Sequence, residues 1–138
     1  MPRLPADVEV HIEIPRFGFV KREAGGRVDF VSPIPCPFNY GCVPGDVAPD
    51  GDPPDAIVLG RRFPRNTRVR VPVVGVVRFT EGDLQDDKLI CSFRPPTAAD
   101  LRSIGAFFAL YARVKTAAAR VVGGGPTPTR FRGVEIGR

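Results

Sequence analysis

The chain has 138 residues, an apolar fraction of 43% and a formal net charge of +5. That length suits one domain, residues 1–138, with a core of its own, and no apolar run approaches the length of a membrane span. With 16 prolines and 15 glycines, the composition predicts many turns and short strands rather than a helical bundle.

The first seven residues hold no apolar core of the signal-peptide kind, so a cytoplasmic protein is expected. Cys36, Cys42 and Cys91 are odd in number and not tightly paired, which argues against a disulfide scaffold. His11 is the only histidine and no Cys-x-x-Cys occurs, so neither a structural zinc site nor a histidine triad is expected, unless His11 itself serves as a base. The positive balance points to anionic partners, either a phosphate-bearing small molecule or nucleic acid. A solvated basic surface is the ordinary alternative.

Val8 to Ile14 alternates with period two and reads as a half-buried strand, closed by Pro15. Val8, Val10, Ile12 and Ile14 share one face; Glu9, His11 and Glu13 share the other. A second strand is expected over Phe17 to Glu23 and a third over Arg27 to Val31, with the turn at Gly25-Gly26. Pro33, Pro35 and Pro37 then forbid regular structure.

The next stretch carries Asp46, Asp50, Asp52 and Asp55. Its centre is Asp50-Gly51-Asp52-Pro53-Pro54-Asp55. At ~4 Å and an effective dielectric near ~20, a like-charged pair costs about 4 kcal/mol. Gly51 permits a sharp turn, and Pro53 and Pro54 stiffen the chain leading to Asp55. Such crowding makes sense around a hard divalent cation, which wants oxygen ligands. The same hexapeptide also reads as a solvated turn. It is not an EF-hand loop: counting from Asp50, Asp55 falls on the required glycine and Arg61 on the final glutamate.

Ala56 to Leu59 reads as a buried strand and Asn66 to Val77 as a long, partly exposed one. Thr80 to Asp87 is expected to be an acidic loop and Lys88 to Phe93 a strand. Thr97 can cap a helix, with Asp100 in the capping-box position. Leu101, Ile104, Phe108 and Tyr111 recur at helical spacing, and Phe107, Leu110 and Val114 widen the stripe. The helix can run to Val122, before Gly123-Gly124-Gly125-Pro126. A last strand is expected over Arg130 to Ile136. Strands around turns with one flanking helix suggest a mainly β (α+β) fold, a small closed barrel of OB type.

Six short motifs occur in order between residues 8 and 93. They are Ile12-Glu13-Ile14-Pro15, Lys21-Arg22-Glu23, Pro37-Phe38-Asn39-Tyr40-Gly41, the acidic hexapeptide, Pro72-Val73-Val74-Gly75-Val76 and Asp86-Asp87-Lys88. Their order and approximate spacing resemble the soluble (family I) inorganic pyrophosphatases. Phe107-Phe108-Ala109-Leu110-Tyr111 is similar to that family's later helix. The resemblance implies a five-stranded OB-type closed β-barrel, Mg²⁺ dependence, hydrolysis of inorganic diphosphate to two phosphates, and a homo-oligomer.

By the same resemblance, Asp50, Asp55 and Asp86 ligate a first metal. Asp55 also holds a second, and Asp52 accepts the proton of the water bridging the pair. Glu81 and Asp86 hold a third ion that arrives with substrate. Glu13 and Glu23 act largely through metal-bound water. Lys21, Tyr40, Lys88 and Tyr111 hold the diphosphate and the leaving phosphate. The residue types suit the chemistry: attack on a highly anionic diphosphate needs neutralised oxygens, an activated water and firm positioning. Each also has a plainer reading, as strand-face carboxylate, hydrated turn, exposed lysine or core tyrosine.

The chain departs from the family pattern at several places. Glu81 stands for an aspartate, Phe30 falls near an expected phosphate-binding arginine, and Cys36, Pro54 and Ala112 replace a tyrosine, an aliphatic residue and a lysine. Arg27 or Arg16 is a candidate replacement for the arginine. The familiar C-terminal helix has no counterpart before Arg138. Two other functions therefore stand beside hydrolysis. One is a relative that binds metal and phosphate ligands without efficient turnover. The other is a nucleic-acid-binding OB domain using Arg61, Arg62, Arg65, Arg68 and Arg70. The scarcity of aromatics among those arginines argues against base stacking.

Overall fold

The alternation read in the first strand is kept in β1 (Asp7–Ile14), where Val8, Val10, Ile12 and Ile14 are buried and Asp7 and Glu9 exposed. The computed structural model describes residues 6–18, 20–22, 28–31, 35–46, 51–121 and 129–137, with the backbone alone at 20–22, 28–31 and 118–121. Among the described residues the elements continue with β2 (Val20–Arg22), β3 (Val28–Val31), β4 (Asn39–Cys42), β5 (Asp55–Val58), β6 (Arg68–Glu81), β7 (Leu84–Gln85), β8 (Lys88–Cys91), α1 (Ala98–Val121) and β9 (Thr129–Ile136).

Five strands close into a ring in the order β1-β4-β5-β8-β6, with β6 returning to β1. All neighbours in the ring are antiparallel except β5 and β8, which run parallel. β2 and β3 form a separate two-stranded sheet. A closed ring leaves no unpaired edge among its five members. β6 can serve three neighbourhoods because it is 14 residues long: its start pairs with β1, its middle with β8, and its far end with β7 and β9.

Two elements depart from the sequence reading. β4 comes directly after the proline-rich stretch and was not expected as a strand. Asn39 makes it possible. Its Oδ1 accepts from the backbone N–H groups of Arg16 and Phe63 at 3.0 and 2.9 Å, and its Nδ2 donates to the carbonyls of Val58 and Arg61 at 3.1 and 2.8 Å. One fully buried amide thus ties β4 to the chain after β1 and to residues 58–63, in place of the ladder bonds the prolines cannot make. The second departure is at 80–87, expected as a loop. Thr80 and Glu81 extend β6, and Gly82, at φ +61°, turns the chain into β7. Asp87 clamps this hairpin, accepting from the Phe79 N–H at 3.1 Å and from Arg78 at 2.6 Å.

The sheet is buried on both faces. On one side lie Val8, Val10, Ile12, Ala56, Val58, Val71, Val73 and Cys91. On the other, Tyr40, Ile57, Phe79 and Ile90 pack beneath α1 through Ile104, Phe107, Phe108 and Ala112. The capping box forms as expected: Thr97 N–H donates to Asp100 at 2.8 Å, and Asp100 N–H to Thr97 Oγ1 at 3.1 Å. Phe108 stacks on Phe38 at 5.8 Å and meets Phe79 edge-on at 5.9 Å. Burying each such ring contributes about 1.5–3 kcal/mol. Leu110, placed in the stripe from its spacing, is instead exposed, so the buried face is narrower than the sequence suggested.

Candidate active site

The register of the ring gathers the acidic and basic residues at one end of β5 and β8. Asp55 pairs directly with Lys88 across the parallel junction. Tyr40 pairs with Ile57, two residues from Asp55 on the same face of the sheet, a diagonal that a long side chain can span. The Tyr40 hydroxyl donates to Asp55 Oδ2 at 2.9 Å. Lys88 Nζ donates to that same oxygen at 2.9 Å and to Asp86 Oδ2 at 2.8 Å. Only 1% of the Lys88 side chain is exposed, and its ammonium sits 5.1 Å from the centre of the Phe79 ring.

Burial by itself would lower the Lys88 pKa, but Asp55 and Asp86 outweigh it and the net shift is upward. Lys88 is therefore a fixed cation at neutral pH. Burial raises the Tyr40 pKa well above its ordinary value, and the Asp55 charge adds to it, so Tyr40 remains a neutral donor.

α1 supplies two further groups. Tyr111 is half-buried against Phe79 and Phe107, with ring centres 5.6 and 6.1 Å away. One helical turn later Lys115 lies over the Tyr111 ring at 5.6 Å and pairs with Glu81, at the end of β6, at 3.2 Å. Lys115 was not singled out in the sequence. Its position four residues after Tyr111, on the same helix face, was the available signal.

The other expected site residues are less gathered. Glu13 is half-buried on β1. Asp52 is exposed on the turn after Gly51, whose φ of +89° is the left-handed conformation that turn needs. Lys21 lies on β2, opposite Phe30 of β3. Asp50, Glu23 and Arg27 fall outside the described residues. Arg16, a candidate replacement for the expected phosphate-binding arginine, donates through Nε to the carbonyl of Pro37 at 3.1 Å and through Nη1 to that of Gly60 at 2.8 Å, bracing the β1–β4 corner.

Among the described residues no group of three or more His, Cys, Asp or Glu side chains is placed to hold a metal ion. Asp55 and Asp86 nevertheless offer two hard oxygens within reach of a single cationic nitrogen. That donor set fits Mg²⁺, which is usually held by one or two carboxylates together with substrate phosphates and water. Four of the five arginines considered for nucleic acid contact polar groups of their own chain, and Arg61 lies over the Phe63 ring at 4.5 Å. Arg68 pairs with Glu9 at 3.3 Å and Arg70 with Asp7 at 3.0 Å, while Arg62 and Arg65 donate to the carbonyls of Arg16 and Glu13. No helix among the described residues is long and apolar enough to cross a membrane.

Known proteins resemble this chain in sequence and in fold. The sequence model of a family described as inorganic pyrophosphatase matches residues 10–124. An inorganic pyrophosphatase of Gluconobacter oxydans is 35% identical over 96 residues, covering 64% of this chain and 56% of that protein. One from Ralstonia nicotianae is 34% identical over 118 residues, covering 74% and 67%. The chain spans less than two thirds of several curated relatives, including 64% of the Saccharolobus solfataricus protein. Among solved structures, the inorganic pyrophosphatase of Coxiella burnetii superposes with a TM-score of 0.76 at 25% identity, over 95% of this chain and 86% of that one. That of Helicobacter pylori gives 0.75 at 26% identity, over 98% and 90%. The five-strand ring is thus the OB-type sheet of these neighbours, and the chain belongs to the inorganic pyrophosphatase family.

Proposed function

We propose that this protein, acting as one domain, hydrolyses inorganic diphosphate to two orthophosphates with Mg²⁺. The observation that carries this reading is the buried Lys88 ammonium bridging Asp55 and Asp86, with Tyr40 on the same Asp55 oxygen. Asp50, Asp55 and Asp86 would hold a first ion, Asp55 a second, and Glu81 with Asp86 a third, with Glu13 and Glu23 in the outer sphere. A bound divalent cation neutralises phosphoryl oxygens and lowers the pKa of coordinated water.

The chain's own groups do the positioning. Asp52, on the exposed turn, takes the proton from the attacking water. Lys88, a permanently charged ammonium with two N–H on Asp55 and Asp86, has a third for a phosphoryl oxygen. Tyr40, a neutral phenol whose one proton goes to Asp55, would turn that proton to phosphate once Asp55 holds a cation. Lys21 and Tyr111 hold the remaining phosphate. Because phosphoryl transfer demands charge stabilisation and alignment more than covalent chemistry, such a donor set is sufficient machinery.

The test is phosphate release from diphosphate, with and without millimolar Mg²⁺, beside Asp52→Asn. Expected is Mg²⁺-dependent release in the wild type that is lost in the variant, with the melting temperature unchanged or raised, since one exposed charge in an acidic loop is removed. Full activity in Asp52→Asn would discard that residue as the base. Mg²⁺ binding without any release would instead support the reading of a metal- and phosphate-binding relative lacking turnover.

The assembly is read as a homo-oligomer. Phe93 and Leu84 are exposed apolar side chains that a second copy would cover. Light scattering that returned only the monomer mass would refute it.

A further inference from the structure

We infer that Lys115 is a substrate-binding residue, a second cation that donates to a phosphate group of the substrate alongside Lys88. The inference rests on the phosphoanhydride chemistry proposed for the same site. A lysine on a surface helix ordinarily extends into water. Lys115 instead folds back along Tyr111, and its side chain is only 33% exposed. Its head lies 3.2 Å from Glu81 Oε2, at the end of β6.

The aromatic rings locate it further. Lys115 stands over the Tyr111 ring at 5.6 Å, Tyr111 packs on Phe79 with ring centres 5.6 Å apart, and the Lys88 ammonium sits 5.1 Å from the centre of that same Phe79 ring. Two ammonium groups from different elements, β8 and α1, are therefore held against one aromatic pair, Phe79 and Tyr111. Asp55, Asp86 and Glu81 pair with these two ammoniums, so the group turns positive towards a phosphate only as cations take up the carboxylates.

Glu81 is 42% exposed and belongs to the set of carboxylates proposed to bind cations. When Glu81 turns to a cation, Lys115 loses its counter-ion and gains the capacity to donate to phosphate. The exchange couples cation and anion binding through one side chain. It also gives a reason for a glutamate at 81, whose extra methylene helps the carboxylate span from β6 to α1.

The alternative is a partly exposed ion pair with a structural role alone, which is worth about 0–1 kcal/mol. Lys115→Met and Lys115→Arg separate the two. Methionine keeps an unbranched stem over Tyr111 and removes the charge; arginine restores it. Titration calorimetry of the full chain with inorganic phosphate in the presence of Mg²⁺ supplies a readout independent of turnover. Charge-assisted hydrogen bonds contribute about 1.5–3 kcal/mol, so Lys115→Met is expected to weaken phosphate binding on the order of tenfold or more. Lys115→Arg should recover most of that loss, and both variants should melt near the wild type.

Phosphate binding unchanged in Lys115→Met overturns the inference, as does a wild type that binds no phosphate. If diphosphate is hydrolysed while Lys115→Met keeps wild-type phosphate affinity, only this inference falls. If phosphate binding depends on Lys115 but no hydrolysis occurs, the inference stands and the hydrolytic reading falls.

Discussion

At the scale of single residues, the adjacent acids Asp86 and Asp87 show how one step along the chain separates two roles. Asp86 turns to Lys88 and the site, while Asp87 clamps the hairpin through Phe79 and Arg78. The family resemblance gave a metal role to Asp86 alone, and the part Asp87 plays in the hairpin was not legible in the sequence. Lys88 is the more consequential residue, because a buried charge that loses its partners is strongly destabilising. The two carboxylates it holds are the basis for a prediction about Mg²⁺. An ion that binds only the folded chain stabilises it by mass action, by about 2.7 kcal/mol at a hundredfold excess over Kd. Millimolar Mg²⁺ should therefore raise the melting temperature of the wild type. Asp86→Asn should lose most of that increase, as calorimetric melting with and without the ion will show.

Among the elements, β4 holds the site together and was the least legible. Its neighbours Pro35 and Pro37 masked it, and the four hydrogen bonds of Asn39 that support it join residues up to 24 positions apart. Gly41 makes the closest approach in the ring: an added Cβ would run into the carbonyl oxygen of His11 on β1. Both partners are backbone within a paired register, so neither can move aside cheaply. Gly41→Ala should cost about 3 kcal/mol or more, read as a lower urea midpoint, and it should also weaken activity by displacing Tyr40. The helix was more transparent. Its reciprocal cap between Thr97 and Asp100 is a local arrangement, and local patterns survive in the sequence.

For the molecule as a whole, burial of the free thiols sets a limit on the alkaline side. Burial pushes both Cys36 and Cys91 up to about 12, from an ordinary value of 9.0. The folded chain thus prefers the neutral thiols that the unfolded chain begins to ionise near 9. Their contribution to stability is complete below that pH and is lost progressively as pH rises from about 9 towards 12. Urea unfolding measured from about pH 8 to about pH 10.5 should show a falling midpoint, with a shallower fall in Cys36→Ala/Cys91→Ala. An unchanged slope in the double variant would show that the thiols are not the groups responsible.

The sequence by itself determined the β-rich class, the burial face of β1, the capped helix, and the order of motifs that marks the pyrophosphatase family. These features are local, written in residues a few positions apart. Only the tertiary structure decided the rest. It paired Asp55 with Lys88 across a parallel junction 33 residues apart in sequence and placed Tyr40 on the same oxygen. It joined Arg16 to the carbonyls of Pro37 and Gly60, paired Arg68 and Arg70 with Glu9 and Asp7, and brought Lys115 to Glu81. The physical reason is common to all of these: register between distant strands and the docking of α1 on the sheet fix which charges meet, and no short window of sequence contains both partners.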